Sequence, residues 1–179
     1  MDKLDVFRCD RLGLERHRFA SLCLAGFWPD HEDTFSDHLL NALACPLPPD
    51  GVTSAIFPEG RSFRIHPNKL LLSSLTRSDL TTMFGEGFSA ETGSLSDQSH
   101  GRACLQLYGA DAVRTLQGCL PLDPEHALPE IGRFVQTRLQ DANILICKTA
   151  PDRFEIHAPT SFAEAIEGAL LRTANYIAM

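Results

Sequence analysis

Asn143-Ile144-Leu145-Ile146-Cys147 is the stretch that decides the fold. A half-buried strand alternates apolar and polar residues, whereas a run that is apolar on both faces belongs inside a sheet. The residues on either side extend the reading. Arg133 to Leu139 and Phe154 to His157 are short runs of strand character, so three strands follow one another here. Thr160-Ser161 then precedes Phe162, Ala165, Ile166, Ala169 and Leu170, which recur at helical spacing and predict a capped closing helix.

Upstream, Gly93 to Asp97 and Ala103 to Leu107 read as two strands linked by the polar turn Gln98-Ser99-His100-Gly101. Gly109 opens a helix from Ala110 to Leu116, with Ala112, Val113 and Leu116 on one side and Gly118 as its stop. Pro121, Pro124 and Pro129 force an irregular connection to the three strands.

The first half follows the same logic. Phe19 to Trp28 is mostly apolar and reads as a buried strand or an inward-packing loop. Asp33-Thr34-Phe35-Ser36 offers N-cap residues for a helix whose face is Phe35, Leu39, Leu40 and Leu43, ended by Pro46. A turn-rich linker, Pro46 to Gly51, leads to short strands at Val52 to Phe57, Ser62 to Ile65 and Leu70 to Leu72. Leu75 to Phe84 predicts a helix closed by Gly85 and Gly87. The expected class is α+β: two β-α-β-type halves with antiparallel sheet, as one domain over 1–179 or two intertwined lobes of about 1–90 and 91–179.

The bulk composition bounds the function. The chain has 179 residues, 44% of them hydrophobic and 22% charged, enough for a sizeable core. Its net charge of −7, with no dense Lys/Arg cluster, argues against nucleic acid as partner. The most basic stretch, Arg11 to Arg18, contains Glu15 and His17 and reads as a solvated segment. No run reaches the roughly 18 apolar residues of a membrane span, and Met1-Asp2-Lys3-Leu4-Asp5 lacks the features of a signal peptide, so the cytoplasm is the expected compartment.

The search for chemistry returns structural readings. Cys9, Cys23, Cys45, Cys104, Cys119 and Cys147 form no C-x-x-C pair and read as reduced thiols, mostly packed as small hydrophobes. Cys119 follows Gly118 at a helix C-terminus, whose partial negative charge opposes a thiolate. His17, His31, His38, His66, His100, His126 and His157 include no H-E-x-x-H and read as surface residues; only His31 and His38 lie a whole number of turns apart. Gly85-Glu86-Gly87 lacks the frame of a phosphate cradle. Asp97, beside Ser96 and Ser99, serves its own turn, and Asp111 favours a helix dipole. No residue of this chain is therefore assigned to catalysis, to cofactor binding or to a metal.

The second half nevertheless resembles a known family. Leu95 to Ala112 is similar to the "D-x-S, turn, strand, G-x-x-A helix" block of folate-binding aminomethyltransferase-like domains. Leu116-Gln117-Gly118-Cys119-Leu120-Pro121-Leu122-Asp123 resembles the "G-C-P-L-D" segment of sarcosine oxidase gamma subunits, with Leu120 inserted. Gly132-Arg133-Phe134-Val135-Gln136-Thr137-Arg138-Leu139 resembles their "G-x-x-x-Q-T-R-L" strand, and Phe154 to Phe162 their "F-x-L-x-V-P-x-S-F" step into the last helix. His66-Pro67-Asn68-Lys69-Leu70-Leu71-Leu72 is a weaker counterpart of "G-P-D-E-W-L-L", with Lys69-Leu70 in place of the acidic-aromatic pair, and Leu128 stands where an aromatic is usual.

The resemblance covers about half the chain. It implies a non-catalytic gamma subunit of a heterotetramer that demethylates sarcosine and passes the one-carbon unit to tetrahydrofolate. Larger flavoprotein alpha and beta subunits carry the FAD, FMN, NAD and folate sites in that family, and a small delta subunit carries zinc. A related N-methyl amino acid dehydrogenase fits the same motifs. Two other readings stand beside it. One is a stand-alone folate-binding or aminomethyl-transfer protein, for which Arg102, Arg114, Arg133 and Arg138 are the basic residues to test; the other is a small ligand-sensing α+β domain. An accessory subunit needs a contiguous apolar patch, for which Leu22, Leu24, Phe27 and Trp28 are candidates.

Overall fold

A computed structural model describes residues 3–177; Met1 and Asp2, part of the N-terminal reading above, lie outside the described residues. The chain divides into two units, Phe19–His100 and a second made of 3–18 with 101–177. Each has its own antiparallel sheet and its own apolar cluster. The class is α+β, as the periodicities predict. The division is not a cut near residue 90: the N-terminal hairpin pairs into the second sheet, and the strand at Gly93–Asp97 lies in the first.

The second unit begins with β1 (Lys3–Arg8) and β2 (Gly13–Arg18) and continues with β8 (Arg102–Tyr108), β9 (Phe134–Leu139), β10 (Ala142–Ala150) and β11 (Arg153–Pro159). Their order is β1-β2-β8-β11-β10-β9. Ile144 to Cys147 is buried throughout, and β10 is an interior strand, as its two-sided apolarity requires. Arg11 to Arg18, expected as a solvated segment, is instead largely β2, with Leu12, Leu14 and His17 buried and Arg16 held 3.1 Å from Glu167.

Helices cover one face of this sheet. They are α3 (Ala112–Gln117) and α5 (Ala163–Ile177), with a short turn α4 (Pro124–Ala127) between them in sequence. Leu14, Leu105, Leu107, Ile146, Phe154 and Ile156 meet Leu116, Ile166, Ala169 and Leu170 there. Phe162 and Ala165 are exposed rather than part of the α5 face, and a 3₁₀ turn, Thr160–Phe162, leads into the helix.

In the first unit, β3 (Ser21–Phe27) resolves the Phe19 to Trp28 alternatives in favour of a strand. It lies in a sheet ordered β4-β5-β6-β3-β7, with β4 (Ala55–Phe57), β5 (Gly60–His66), β6 (Lys69–Ser74) and β7 (Gly93–Asp97). β7 and β8, consecutive in the chain, are therefore not hairpin partners but belong to different sheets. α1 (Glu32–Leu43) starts before the proposed caps, and its buried face is Phe35, Leu39 and Leu43, with Leu40 outside. α2 (Leu80–Gly85) starts five residues later than expected, because Ser74 Oγ accepts from the N–H groups of Thr76 and Arg77 and holds that stretch in a turn. Phe35 joins the layers: its ring centroid lies 4.8 Å from Phe27 and 5.5 Å from Phe84. Among the described residues no helix is long and apolar enough to cross a membrane.

Gly109 fastens β8 to α3. It has φ +112, and a Cβ there would meet the Arg11 carbonyl oxygen at 2.3 Å. Beside it, Arg11 Nε donates to Asp111 Oδ2 at 2.7 Å and Nη2 to Oδ1 at 2.9 Å. Asp111 thus pairs with an arginine instead of capping the helix with its side chain. The hydrogen bond from Arg11, then its charge, holds the Asp111 carboxyl below its ordinary range.

Two predictions come from this joint. Gly109→Ala adds left-handed strain and a backbone clash, and should lower stability by about 3 kcal/mol in chemical denaturation. Gly51→Ala, whose Cβ would find its nearest neighbour at 3.5 Å, should change it by less than about 0.5 kcal/mol. Asp111 has a folded pKa below its unfolded one, so its contribution is present above pH of roughly 4 and is lost as pH falls through the folded value. The stability gap between the wild-type chain and Asp111→Asn should shrink on acidification in that window; a gap that widens would contradict the pairing.

Candidate functional site

The face of the second sheet opposite α3 and α5 carries polar side chains in three register rows. Residues i and i+2 of a strand share a face, and directly opposed residues of neighbouring strands stand side by side. Gly13, Tyr108 and Arg153 make the first row, Glu15, Gln106 and Glu155 the second, and His17, Cys104 and His157 the third. On β10, Cys147 continues the second row and Leu145 the third.

The first row works because Gly13 has no side chain. A Cβ at Gly13 would lie 2.3 Å from the Tyr108 ring, so the ring occupies that space. From there Tyr108 donates its hydroxyl to Glu15 Oε1 at 2.7 Å, and the Arg153 guanidinium stacks over the ring at 5.0 Å. In the second row Gln106 Nε2 donates to Glu155 Oε1 at 3.3 Å.

The third row is the most buried. Cys104 and His157 are fully buried, and His17 is 3% exposed. His17 Nε2 lies 3.3 Å from Glu15 Oε2, and its Nδ1 has no hydrogen-bond partner among the described residues. His157 Nε2 lies 3.8 Å from Glu155 Oε2. One ligand atom each from Cys104, Glu155 and His157 falls within 4.8 Å of the others. Burial, then the charge of Glu155, pushes the Cys104 thiol well above its ordinary range, so in the protein alone it holds its proton.

His17 and His157, expected at the surface, are thus interior residues. The i, i+2 spacing of Glu15 with His17 and of Glu155 with His157 was visible in the sequence. Their meeting on either side of β8 depends on pairings across 87 and 53 residues, by subtraction of the paired numbers 17, 104 and 157.

The other residues weighed in the sequence do not join this row. Cys119 Sγ donates to Thr173 Oγ1 at 3.1 Å, and burial raises its pKa, in keeping with a structural thiol. His38 Nε2 lies 2.6 Å from the Phe84 carbonyl and its ring packs on Phe84 and Phe88. It borders a cleft of about 340 Å³ with Asn41, Ala42, Met83, Glu86 and Gly87. Asp97 Oδ1 accepts from the Ser99 N–H at 2.8 Å, a turn role. Gly87 has φ +76 and ends its turn as expected. Arg102, Arg114 and Arg138 lie on β8, α3 and β9, and Arg133 just before β9, so the four are dispersed. Leu22 and Phe27 are buried; only Trp28 of the proposed apolar patch is exposed, and its indole N–H donates to the Ala90 carbonyl at 3.1 Å.

No protein-family model matches this chain, and no curated protein matches it. Among solved structures it is similar to the heterotetrameric sarcosine oxidase from Corynebacterium sp. U-96 in complex with pyrrole 2-carboxylate. That similarity has a TM-score of 0.85 at 22% identity and covers 98% of this chain and 89% of the other. It is also similar to the glycine cleavage system aminomethyltransferase T from Bartonella henselae, with a TM-score of 0.64 at 16% identity, over 90% of this chain and 45% of that one. The likenesses place the fold with the folate-binding aminomethyltransferase-like proteins.

Proposed function

We propose that this chain is a gamma-type accessory subunit of a heterotetrameric flavoenzyme of the sarcosine oxidase kind. The observation that carries the reading is the extent of the structural likeness, 98% of this chain and 89% of a sarcosine oxidase chain. The likeness to the aminomethyltransferase, by contrast, takes in 45% of that chain. The ordered motifs from Leu116 to Phe162 support the same assignment.

In this reading the chain itself performs no oxidation. Larger flavoprotein subunits remove the hydride from sarcosine or another N-methyl amino acid, and the one-carbon unit passes to tetrahydrofolate. A small zinc-bearing subunit completes the assembly, which works in the cytoplasm. The chain brings exposed apolar side chains to its partners: Trp28 and Ile56 in the first unit, Ile131, Phe162 and Tyr176 in the second.

The test is co-purification. The tagged chain, recovered from its native cells, should bring down two larger yellow chains in stoichiometric amount, together with activity on sarcosine or another N-methyl amino acid. Recovery as a lone, colourless protein that binds tetrahydrofolate would overturn the subunit assignment in favour of a stand-alone folate protein.

A further inference from the structure

We propose that Cys104, Glu155 and His157 form a binding site for a divalent cation of the zinc class. The strand frame supplies the geometry. Glu155 and His157 are i and i+2 on β11, so they share one face, and Cys104 stands directly opposite His157 on β8. A donor atom from each lies within 4.8 Å of the other two, and the His157 and Glu155 donors are 3.8 Å apart. Ligands about 2.0–2.3 Å from a tetrahedral ion are roughly 3.3–3.8 Å from one another. Rotation of side chains, with the backbone ladder unmoved, closes the remaining distance.

The donor set selects the ion. A thiolate with an imidazole excludes magnesium and calcium, which take oxygen, and favours zinc or cobalt. Charge balance favours the same ion: one thiolate and one carboxylate neutralise a dication, so the loaded cluster carries no net charge into a buried place. Three protein ligands leave a fourth position, the arrangement of sites that bind water or an incoming ligand.

The neighbouring side chains are those a metal site uses. Gln106 holds the Oε1 of Glu155 at 3.3 Å, leaving Oε2 on the side of His157. His17 is the independent observation. It flanks Cys104 in the same row from β2, is 3% exposed, and has an Nδ1 without a hydrogen-bond partner among the described residues. A buried imidazole nitrogen is costly where nothing bonds it, and beside an ion with an open position it has water or a bound ligand to bond. The inference rests on the sheet register and stands independently of assembly with flavoprotein subunits.

The test is titration of the full chain, stripped with a chelator, with Co²⁺ followed by absorbance. A thiolate-to-cobalt charge-transfer band should grow to one equivalent and be displaced by Zn²⁺. It should vanish in Cys104→Ser and persist in Cys9→Ser, which removes the exposed thiol. Glu155→Gln and His157→Gln should each weaken binding at least tenfold, and Gln106→Ala, which removes only the support, by about 10- to 100-fold with the band retained. Should Cys104→Ser fail to fold, Glu155→Gln decides, being near-isosteric at a part-exposed side chain. Zn²⁺ should raise the Tm of the wild-type chain and not that of Glu155→Gln. Absence of the band at saturating Co²⁺, a band lost in Cys9→Ser but kept in Cys104→Ser, or unchanged affinity in Glu155→Gln would each overturn the site.

Discussion

The second unit depends on the register of β8 between β2 and β11. Leu14 opposes Leu107, Leu107 opposes Phe154, and Leu105 opposes Ile156, all on the face that α3 and α5 cover. A slip of one residue would turn Cys104 and Gln106 toward the helices and Leu105 and Leu107 away from them. Burying each leucine contributes on the order of 2 kcal/mol, so the apolar face alone is enough to pin the pairing. The polar face then follows without any further instruction. Glu15 must stand beside Gln106 and Glu155, and His17 beside Cys104 and His157.

This ordering explains what was legible in the sequence. Ile144 to Cys147 could be read as an interior strand because its burial is two-sided and therefore local. Phe35, Leu39 and Leu43 could be read as a helix face for the same reason. The Arg11 to Arg18 stretch reads as solvated because it contains only two buried leucines among charged neighbours. In a strand with one polar face, that composition looks like solvated chain. Nothing local says that Leu12 and Leu14 reach a core completed more than 90 residues later, by subtraction of 14 from 107. Apolar content carries the expected helix before Gly85 back to Leu75, where a Ser74 hydroxyl competing for backbone N–H groups decides the local structure.

The candidate site was illegible for a stricter reason. Metal and catalytic motifs are found in sequence when their residues share one helix turn or one loop. Here the donors come from two strands, and a third strand contributes His17, so the spacing between them carries no signature. Half of the pattern was present: an acid two residues before a histidine, on β2 and again on β11. An alternating pair of that kind is common on solvated strands, and only the sheet order shows that both pairs face β8.

A sheet face built for stability alone would not look like this one. Two carboxylates and two imidazoles, with a thiol between the imidazoles, occupy positions where valine or isoleucine would pack at no desolvation cost. Glu15 is held by Tyr108 and lies beside His17, while Glu155 is held by Gln106 and lies near His157. The Arg153 guanidinium stacks over the Tyr108 ring. Rows two and three therefore place negative charge next to groups that accept positive charge, in the least exposed part of the face. Local rules are broken in this way where a protein keeps groups for their chemistry. The cost is sustained by the opposite face, where Leu105, Leu107, Phe154 and Ile156 hold the same strands in place through the helices. Fold and site are thus two sides of one register: the pairings that seat the leucines under the helices are the same ones that set the acids and imidazoles beside β8.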